Sequence, residues 1–259
     1  MLEINKIYCG DTIEHMKLID DKTIQLILTS PPYRRGQRLD GLNNIYASAK
    51  TNYDDNLSDE EYIEWITNNF IEYERILKDT GVIAFNLSYT KYSPSLPYYV
   101  INSIFKNTNF IIADTVAWEK SSAIPISGHP NRLTRKCEFV YIFVKKDHID
   151  DFDANKEVST ISKRTGQKFY KIYYNILKTK NNDGKIKGHS ATFSSDFAKF
   201  FIDLYSFPNS IVLDNFMGTG TVGVGCKILN RNYIGIDLSK NYCEIAEKRI
   251  EEYENKNNI

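Results

Sequence analysis

TIQLILTSPPY, at residues 23–33, joins a short apolar run to a pair of prolines. The apolar part, from Thr23 to Leu28, predicts a buried β-strand. Pro31 and Pro32 end this strand, because each proline fixes its own φ and disfavours the helical region for the residue before it. Ligands of open α/β sheets bind beside the loops that follow the carboxyl ends of the strands. The stretch therefore predicts a hydroxyl, rigid backbone carbonyls and an aromatic ring at such an edge.

Ser30, Pro31, Pro32 and Tyr33 suit chemistry on the exocyclic amino group of a nucleobase. This group is a weak nucleophile, because its lone pair is delocalised into the ring. Acceptors that bind the amino hydrogens turn the lone pair toward an electrophile. We expect the Ser30 hydroxyl and the Pro31 carbonyl to be these acceptors, and the Tyr33 ring to stack on a base that has left the double helix. A simple Pro-Pro turn with a surface tyrosine is the alternative.

A second strand and loop lie far downstream. Ile211 to Asp214 has the pattern of a buried strand and runs into NFMGTGTVG, residues 215–223, and Tyr233 to Asp237 is a further strand that ends in a carboxylate able to hold ribose hydroxyls. Glycines between a strand and a helix allow a cofactor to approach the backbone at the helix N-terminus. We expect Gly220→Val to abolish cofactor binding and to leave the fold largely intact.

Gly218, Gly220 and Gly223 also match the G-x-G-x-x-G pattern of dinucleotide-binding domains. Two features oppose this alternative. Asp214 precedes the glycines, where its charge would repel a pyrophosphate. Only residues 238–259 follow the last strand, too few to complete a dinucleotide domain.

Together the two loops resemble the hallmark motifs of the amino-group-specific DNA methyltransferases. These enzymes combine an S/D/N-P-P-Y/F loop with a D/E-x-F-x-G-x-G loop for S-adenosylmethionine, and residues 30–33 and 214–220 match these patterns. The catalytic loop comes first, as in the circularly permuted β group of the family. The resemblance implies an α/β fold with a doubly wound, mostly parallel sheet of the seven-stranded methyltransferase type, helices on both faces, and S-adenosyl-L-methionine as cofactor.

The resemblance also assigns residues to the cofactor site. Asp11 is expected near the adenine end of the cofactor, and an N-cap role for a helix that begins at Thr12 is compatible with this. HSATF, residues 189–193, resembles the family's H-P-A-x-F segment with Ser190 in place of proline. The expected set is Asp11, His189, Ser190, Phe193, Asp214, Phe216, Gly218, Gly220, Thr221 and Asp237. No metal site is expected.

Three groups of basic residues are candidates for DNA contact. Arg34, Arg35 and Arg38 lie in a polar loop, residues 34–56, and Arg132 and Arg135 lie in a segment that resembles the family's W-x-K…R-x-x-R-x-x-E pattern and is expected to be a loop. Residues 156–187 hold nine Lys or Arg against two acids, with aromatic residues between them. Such a composition is typical of nucleic-acid contact, and a solvated basic face is the alternative. The candidates in this stretch are Lys168, Lys171 and Lys178.

These assignments divide the chain into two regions. Residues 1–147 and 188–259 form the predicted catalytic and cofactor-binding domain, and residues 148–187 form a predicted target-recognition region. A capping box at Ser58 begins a helix that Gly81 is expected to end. Further strands are predicted at 4–11, 82–86, 111–118 and 138–145, and further helices at 12–18, 98–105, 195–205 and after 239.

The composition fits one globular chain. It has 259 residues, 42% hydrophobic, and its 33 basic and 33 acidic residues cancel, so a surface for DNA must be segregated. Four cysteines lack C-x-x-C spacing and are expected to be buried free thiols. The absence of a membrane-length apolar run predicts a cytoplasmic protein without a membrane partner.

The expected reaction is direct transfer of a methyl group to N4 of a flipped cytosine in double-stranded DNA. Family members with Ser at the position of Ser30 mostly modify cytosine, and those with Asp or Asn mostly modify adenine. The serine hydroxyl can accept from the amino group and donate to ring N3. The alternatives are N6-adenine methylation, RNA amine methylation and a catalytically inactive DNA-binding module. A restriction–modification system with a cognate endonuclease, and a monomer or homodimer, are expected.

Overall fold

A computed structural model of the chain describes residues 2–33, 57–89, 93–124, 131, 133–184 and 193–257. Strands and helices alternate through most of these ranges. The strands are β1 (Lys6–Cys9), β2 (Ile24–Thr29), β3 (Leu77–Leu87), β4 (Phe110–Ile124), β5 (Arg135–Lys145), β6 (Val158–Ile161), β7 (Lys168–Tyr170), β8 (Ile176–Thr179), β9 (Ile211–Asp214) and β10 (Asn232–Asp237). The α-helices are α1 (Thr12–Met16), α2 (Asp59–Ile76), α3 (Leu96–Asn107), α4 (Ser195–Tyr205), α5 (Thr221–Ile228) and α6 (Lys240–Asn257).

The main sheet has the strand order β1-β10-β9-β2-β3-β5-β4-β8. Among the described strands of this sheet, β5 alone runs against its neighbours, and the other pairs are parallel. β2 and β9 are direct neighbours, with Leu26 opposite Val212 and Ile27 opposite Leu213. The carboxyl ends of the two strands therefore lie side by side. The predicted doubly wound, mostly parallel α/β fold is confirmed.

The two faces of the sheet carry separate apolar cores. Along β3 and β5 the residues alternate between the two cores, as the period of two in a strand requires. Helices α1, α2 and α3 cover one face, and α4, α5 and α6 cover the other. The strands at the centre are thus buried on both sides, which explains their continuous apolar sequences.

Helix α2 begins as predicted and ends earlier than predicted. Ser58 accepts from the Glu61 amide at 3.1 Å, and the Glu61 carboxylate accepts from the Ser58 amide at 2.7 Å. The helix stops at Ile76, and Gly81 lies inside β3, so the prediction that Gly81 ends the helix was wrong. Lys22 and Lys145 bind Asp79 at 2.8 and 3.1 Å and hold this segment extended.

The region 148–187 has two parts in the structure. β6 and β7 form a separate antiparallel hairpin, and β8 joins the edge of the main sheet beside β4. The Trp118 indole nitrogen donates to Thr179 Oγ1 at 2.8 Å and fixes β8 to β4. Trp118 is 2% exposed and lies within β4, as the predicted strand 111–118 required. β4 continues to Ile124 and β5 begins at Arg135, so the prediction of a loop was wrong for residues 119–124 and 135–138.

The cysteines only partly match the prediction. Cys226 and Cys243 are buried, as expected, whereas Cys9 and Cys137 are exposed. Cys9 is the last residue of β1, at the edge of the sheet, and Cys137 lies in the outer part of β5. Among the described helices, none has both the length and the apolar character that a bilayer crossing requires.

Candidate active site

The catalytic loop is held by a polar cluster around Asn86, at the carboxyl end of β3. Asn86 Oδ1 accepts from the Tyr33 hydroxyl at 2.9 Å and from Ser30 Oγ at 3.2 Å. Its Nδ2 donates to the Phe139 carbonyl at 3.1 Å, which fixes the orientation of the amide. Asn86 is 2% exposed, and Ser30 is half-buried. The sequence placed Asn86 only at the end of a strand and gave it no role.

A charged pair lies behind Tyr33. The Tyr33 hydroxyl is 3.3 Å from Glu138 Oε2, and Lys120 Nζ donates to Glu138 Oε1. Burial, followed by the nearby Glu138 carboxylate, raises the pKa of Tyr33 well above its usual value, so the phenol stays protonated. Lys120 and Glu138 were recognised in the sequence as parts of the W-x-K…E segment, but not as neighbours of the catalytic loop. β4 and β5 bring them there.

The two prolines present their carbonyls differently. The Tyr62 hydroxyl of α2 donates to the Pro32 carbonyl at 3.2 Å. The Pro31 carbonyl receives no donor from the described residues. Pro31 O and Ser30 Oγ are thus the two candidate acceptors of the loop, and their contact with a base stays a prediction.

A buried hydrogen bond joins the catalytic strand to the glycine loop. Thr29 Oγ1 donates to Asp214 Oδ1 at 2.8 Å, and the Phe216 amide donates to the same oxygen at 3.1 Å. Asp214 is 2% exposed, and Oδ2 receives no donor from the described part of the chain. Burial raises the pKa of Asp214 to about 7, and Asp237 adds to this increase.

The glycine loop has left-handed backbone at two positions, with φ of +51° at Gly218 and +84° at Gly220. Asp237, at the end of β10, accepts from the Gly218 amide at 2.8 Å and from the Ser239 amide at 2.8 Å. A Cβ at Gly220 would lie 2.8 Å from Ala246 Cβ and 2.9 Å from Ala246 Cα, in α6. The expectation that Gly220→Val leaves the fold intact was therefore wrong, because this glycine allows α6 to approach the loop.

Asn215 forms a buried polar network that the sequence did not predict. Its Nδ2 donates to Thr12 Oγ1 at 2.8 Å and to Asn69 Oδ1 at 3.0 Å, and its Oδ1 accepts from the Tyr73 hydroxyl at 2.6 Å. The network connects the glycine loop to α1 and α2. The only sequence signal was a polar residue next to Asp214 and two polar positions on the apolar face of α2.

The structure describes four of the other predicted cofactor residues: Asp11, Phe193, Phe216 and Thr221. Asp11 is the N-cap of α1 and accepts from the Glu14 amide at 3.0 Å. The Phe216 ring is 5.2 Å from the Trp65 ring, and Phe193 packs on Phe197 of α4 at 4.7 Å. Thr221, the first residue of α5, is buried. His189 and Ser190 lie outside the described residues.

The described residues that were predicted to contact DNA lie on several different elements. Lys168 is exposed on β7, Lys171 pairs with Glu157, and Lys178 lies 3.3 Å from Glu119. Arg135 donates to the Tyr89 carbonyl and lies over the Tyr89 ring at 4.9 Å. Four other candidates are outside the described residues: Arg34, Arg35, Arg38 and Arg132.

Residues 24–248 match the family model described as DNA methylase, for N6 and N4 amino-group methyltransferases. The chain belongs to the DNA methylase family. It is also 31% identical to the Type II methyltransferase M.HinfI of Haemophilus influenzae over 96% of this chain and 69% of that one. The identity to the Type II methyltransferase M.SmaI of Serratia marcescens is 27%, over 95% and 90% of the two chains. It is a DNA amino-methyltransferase that uses S-adenosylmethionine.

Solved structures have the same fold. The PvuII DNA methyltransferase (cytosine-N4-specific) has a TM-score of 0.71, with 20% identity over 98% of this chain and 96% of that chain. The M1.HpyAVI–SAM complex has a TM-score of 0.59, with 26% identity over 94% of this chain and 98% of that chain. The first likeness concerns the fold alone.

The donor set at the glycine loop fits a cationic cofactor. Two carboxylates, Asp214 and Asp237, flank the loop, and burial is the largest cause of the raised pKa of each. A buried carboxylate without a cation is unfavourable, whereas a sulfonium and an ammonium group would compensate it. A pyrophosphate would add negative charge beside both. S-adenosylmethionine therefore fits these residues, and a dinucleotide does not.

The buried Asp214 predicts how stability without cofactor depends on pH. Below the usual pKa of 3.8 the carboxyl is protonated in both the folded and the unfolded chain. Between 3.8 and about 7 the unfolded chain releases this proton while the folded chain keeps it, so stability falls as pH rises, and it stays lower above pH 7. Asp214→Asn removes this titration and should raise the melting temperature at pH 8, with a smaller difference at pH 5.

Scanning calorimetry without cofactor, at several pH values, measures this difference. Asp196→Asn is a suitable control, because Lys199 lowers the pKa of that exposed carboxyl, which changes stability in the opposite direction. An Asp214→Asn protein that is equally destabilised at all pH values would contradict the prediction.

Proposed function

We propose that the chain methylates N4 of cytosine in double-stranded DNA, as the modification enzyme of a restriction–modification system. The observation that carries the proposal is the serine at the start of the catalytic loop, with Asn86 behind it. Serine at this position is typical of family members that modify cytosine. The similarity to Type II methyltransferases supports the restriction–modification setting.

The contacts of Ser30 indicate what its hydroxyl does. Because Asn86 Oδ1 is an acceptor, the Ser30 hydroxyl donates its hydrogen bond to it, at 3.2 Å. The lone pairs of Ser30 Oγ are then directed away from Asn86. Ser30 is then an acceptor for one amino hydrogen, and Pro31 O is an acceptor for the other. Donation from Ser30 to ring N3 would require the bond to Asn86 to break. Two fixed acceptors orient the nitrogen lone pair without reorganisation during the reaction.

No covalent enzyme intermediate is required. S-adenosylmethionine supplies an electrophilic methyl group when it is bound. As the nitrogen–carbon bond forms and the sulfur–carbon bond breaks, the amino nitrogen becomes positively charged and readily loses a proton. Ser30 Oγ or water accepts this proton. Glu138 is separated from Ser30 only by the Tyr33 hydroxyl, with 3.3 Å on each side, and its carboxylate is already paired with Lys120.

The fit of the two carboxylates to a cationic cofactor supports the following roles for the predicted cofactor residues. Asp214 Oδ2, without a donor in the described chain, would compensate the positive charge of the bound cofactor, and Asp237 would hold the ribose hydroxyls with its remaining lone pairs. Phe216 and Asp11 line the adenine end. His189, Ser190 and Phe193 contact the methionine part, and Gly218, Gly220 and Thr221 form the backbone surface.

The hairpin β6–β7 and strand β8 are the proposed DNA-recognition region. Phe169 and Tyr170 are each 50% exposed, beside Lys168 and Lys171, so the hairpin presents both charge and aromatic surface. A two-stranded ribbon fits the major groove of DNA. The lysine charges attract the phosphates. The hydration of the exposed aromatic rings is unfavourable. DNA that covers the hairpin would remove that cost.

The product identifies the base. Plasmid DNA and cellular RNA, each incubated with the protein and S-adenosylmethionine, are digested to nucleosides for mass spectrometry, with reactions that lack cofactor as controls. We expect N4-methyldeoxycytidine from DNA and no methylated nucleoside from RNA. N6-methyldeoxyadenosine alone would refute the cytosine assignment and leave the reaction class intact. Products from RNA alone, or no product, would contradict DNA methylation.

The acceptor role of Ser30 predicts strongly coupled variants. Ser30→Ala should lower kcat by roughly tenfold to a thousandfold, the range for loss of one positioned group. Asn86→Ala should have a similar effect, because it frees the Ser30 hydroxyl to rotate. The kcat of the double variant should be little lower than that of the slower single variant, because both substitutions remove the same Ser30–Asn86 hydrogen bond. Affinity for S-adenosylmethionine, measured by calorimetry, should stay within about twofold. Multiplicative losses in kcat would show that Ser30 and Asn86 act independently.

The recognition region predicts the salt dependence of DNA binding. Replacing Lys168, Lys171 and Lys178 by alanine should flatten the slope of log K against log salt by roughly 0.9 for each phosphate that the protein no longer neutralises. The control variant replaces Lys6, Lys17 and Lys240 by alanine and so removes the same net charge. These lysines have acidic neighbours and lie outside residues 148–187. Equal slopes for both triple variants, measured by fluorescence anisotropy, would show that residues 148–187 are only a solvated surface.

A further inference from the structure

Arg249 of α6 binds the glycine loop at Thr219 and Thr221. Its Nη1 donates to the Thr219 carbonyl, to Thr219 Oγ1 at 3.0 Å and to Thr221 Oγ1 at 3.4 Å. The Arg249 side chain is 21% exposed, and burial is the main cause that lowers its pKa. The sequence showed Arg249 only as a basic residue in the acidic last helix.

The loop is thus held from two sides. Asp237 binds the Gly218 amide at 2.8 Å, and Arg249 binds Thr219, the next residue. Thr219 lies between two glycines with positive φ, and glycine backbone loses more conformational entropy on ordering than any other residue. A loop that is already ordered binds its ligand more tightly, because this entropy is not lost on binding.

The other end of the Arg249 guanidinium is directed at Asp183. Nη2 lies 3.8 Å from Asp183 Oδ2, near the limit for an ion pair. Asp183 also accepts from the Ser195 amide, at 2.9 Å to each carboxylate oxygen, at the N-terminus of α4. Asp183 follows β8 by four residues, at the end of the basic region. Movement of about 1 Å would turn the loose pair into a charge-assisted hydrogen bond.

We propose that Arg249 is a positioning residue of the cofactor loop, and that Asp183 couples this loop to the region 148–187, so that cofactor and DNA strengthen each other's binding. The second part rests on the proposed DNA-recognition role of that region. The planar guanidinium suits this task, because it binds a carbonyl and a carboxylate at the same time, which lysine cannot do in fixed geometry. By linkage, any factor by which DNA tightens cofactor binding is also the factor by which cofactor tightens DNA binding.

The experiment measures the dissociation constant of S-adenosylhomocysteine, a stable cofactor analogue, by calorimetry. Each protein is titrated alone and with a saturating duplex that contains the sequence methylated by the wild-type enzyme. The variants are Arg249→Ala, Arg249→Lys and Asp183→Asn. Glu254→Gln is the matched control, because Glu254 lies on the same helix and forms a 2.6 Å pair with Lys227 at similar burial. Melting temperatures are recorded for all variants.

Without DNA, Arg249→Ala should weaken binding of the analogue at least about tenfold and Arg249→Lys about threefold, the loss expected when one to two hydrogen bonds to a positioned loop are removed. Glu254→Gln should stay within about twofold. Arg249→Lys alone decides this part if Arg249→Ala does not fold. An affinity equal to that of the wild type, in a folded Arg249 variant, would refute the positioning role whether or not the proposed DNA substrate is correct.

With DNA, the wild type should bind the analogue at least about fivefold more tightly, the lower end of typical couplings. Asp183→Asn keeps an acceptor for Ser195 but loses the charge, so its affinity without DNA should change little and its response to DNA should fall below about twofold. A full response in Asp183→Asn, or none in the wild type, would refute the coupling. If the protein methylated no DNA, the proposed function would be refuted. The measurements without DNA would still test the positioning role of Arg249.

Discussion

The hydrogen bond from Thr29 to Asp214 is the contact on which the arrangement of the site depends. It joins residues 185 positions apart at a distance of 2.8 Å, where β2 and β9 end side by side. Each strand delivers one of the two loops, so the proposed base-binding acceptors and the glycine loop are placed relative to each other by this pair. A carboxylate that is buried so deeply opposes folding unless it is protonated or a cation is near. Its presence beside the catalytic strand is understandable in a site whose ligand carries positive charge.

The sequence predicted the local elements of the site and not the contacts between them. β2, β9, α4 and the two loops could be predicted, because apolar periodicity, prolines and glycines are local signals. Asn86, Glu138 and Lys120 could not be assigned, because the strand order β3-β5-β4 brings them together and that order is not encoded in any one segment. The error in the predicted end of α2 has the same cause. Gly81 is a helix-ending signal by itself, but contacts of Asp79 with Lys22 and Lys145 extend the chain into β3.

The network around Asn215 shows how a flexible loop is fixed without a larger apolar core. Three polar side chains, Thr12, Asn69 and Tyr73, use both ends of the Asn215 amide within a buried site. A satisfied buried network specifies one geometry, because any shift leaves a polar group unpaired in a medium of low dielectric constant. α1 and α2 therefore fix the start of the cofactor loop, Asp237 fixes its middle, and Gly220 fixes its end against α6.

The zero net charge is compatible with the proposed DNA contact at β8 because the order of the strands places part of the acidic surface at the other edge of the sheet. Glu244, Glu247 and Glu251 are exposed on α6, which packs beside β1 and β10, and β8 lies beyond β4 at the opposite edge of the main sheet. Six strand spacings separate β10 from β8, or roughly 30 Å at about 4.8 Å each. This distance is about three to four Debye lengths at physiological salt. The distance separates the β10 end of the sheet from β8 and does not apply to all of α6, because Arg249 lies 3.8 Å from Asp183, four residues after β8. Acidic residues at the far edge are thus screened from β8, and the proposed attraction of β8 for DNA is set mainly by charges close to it.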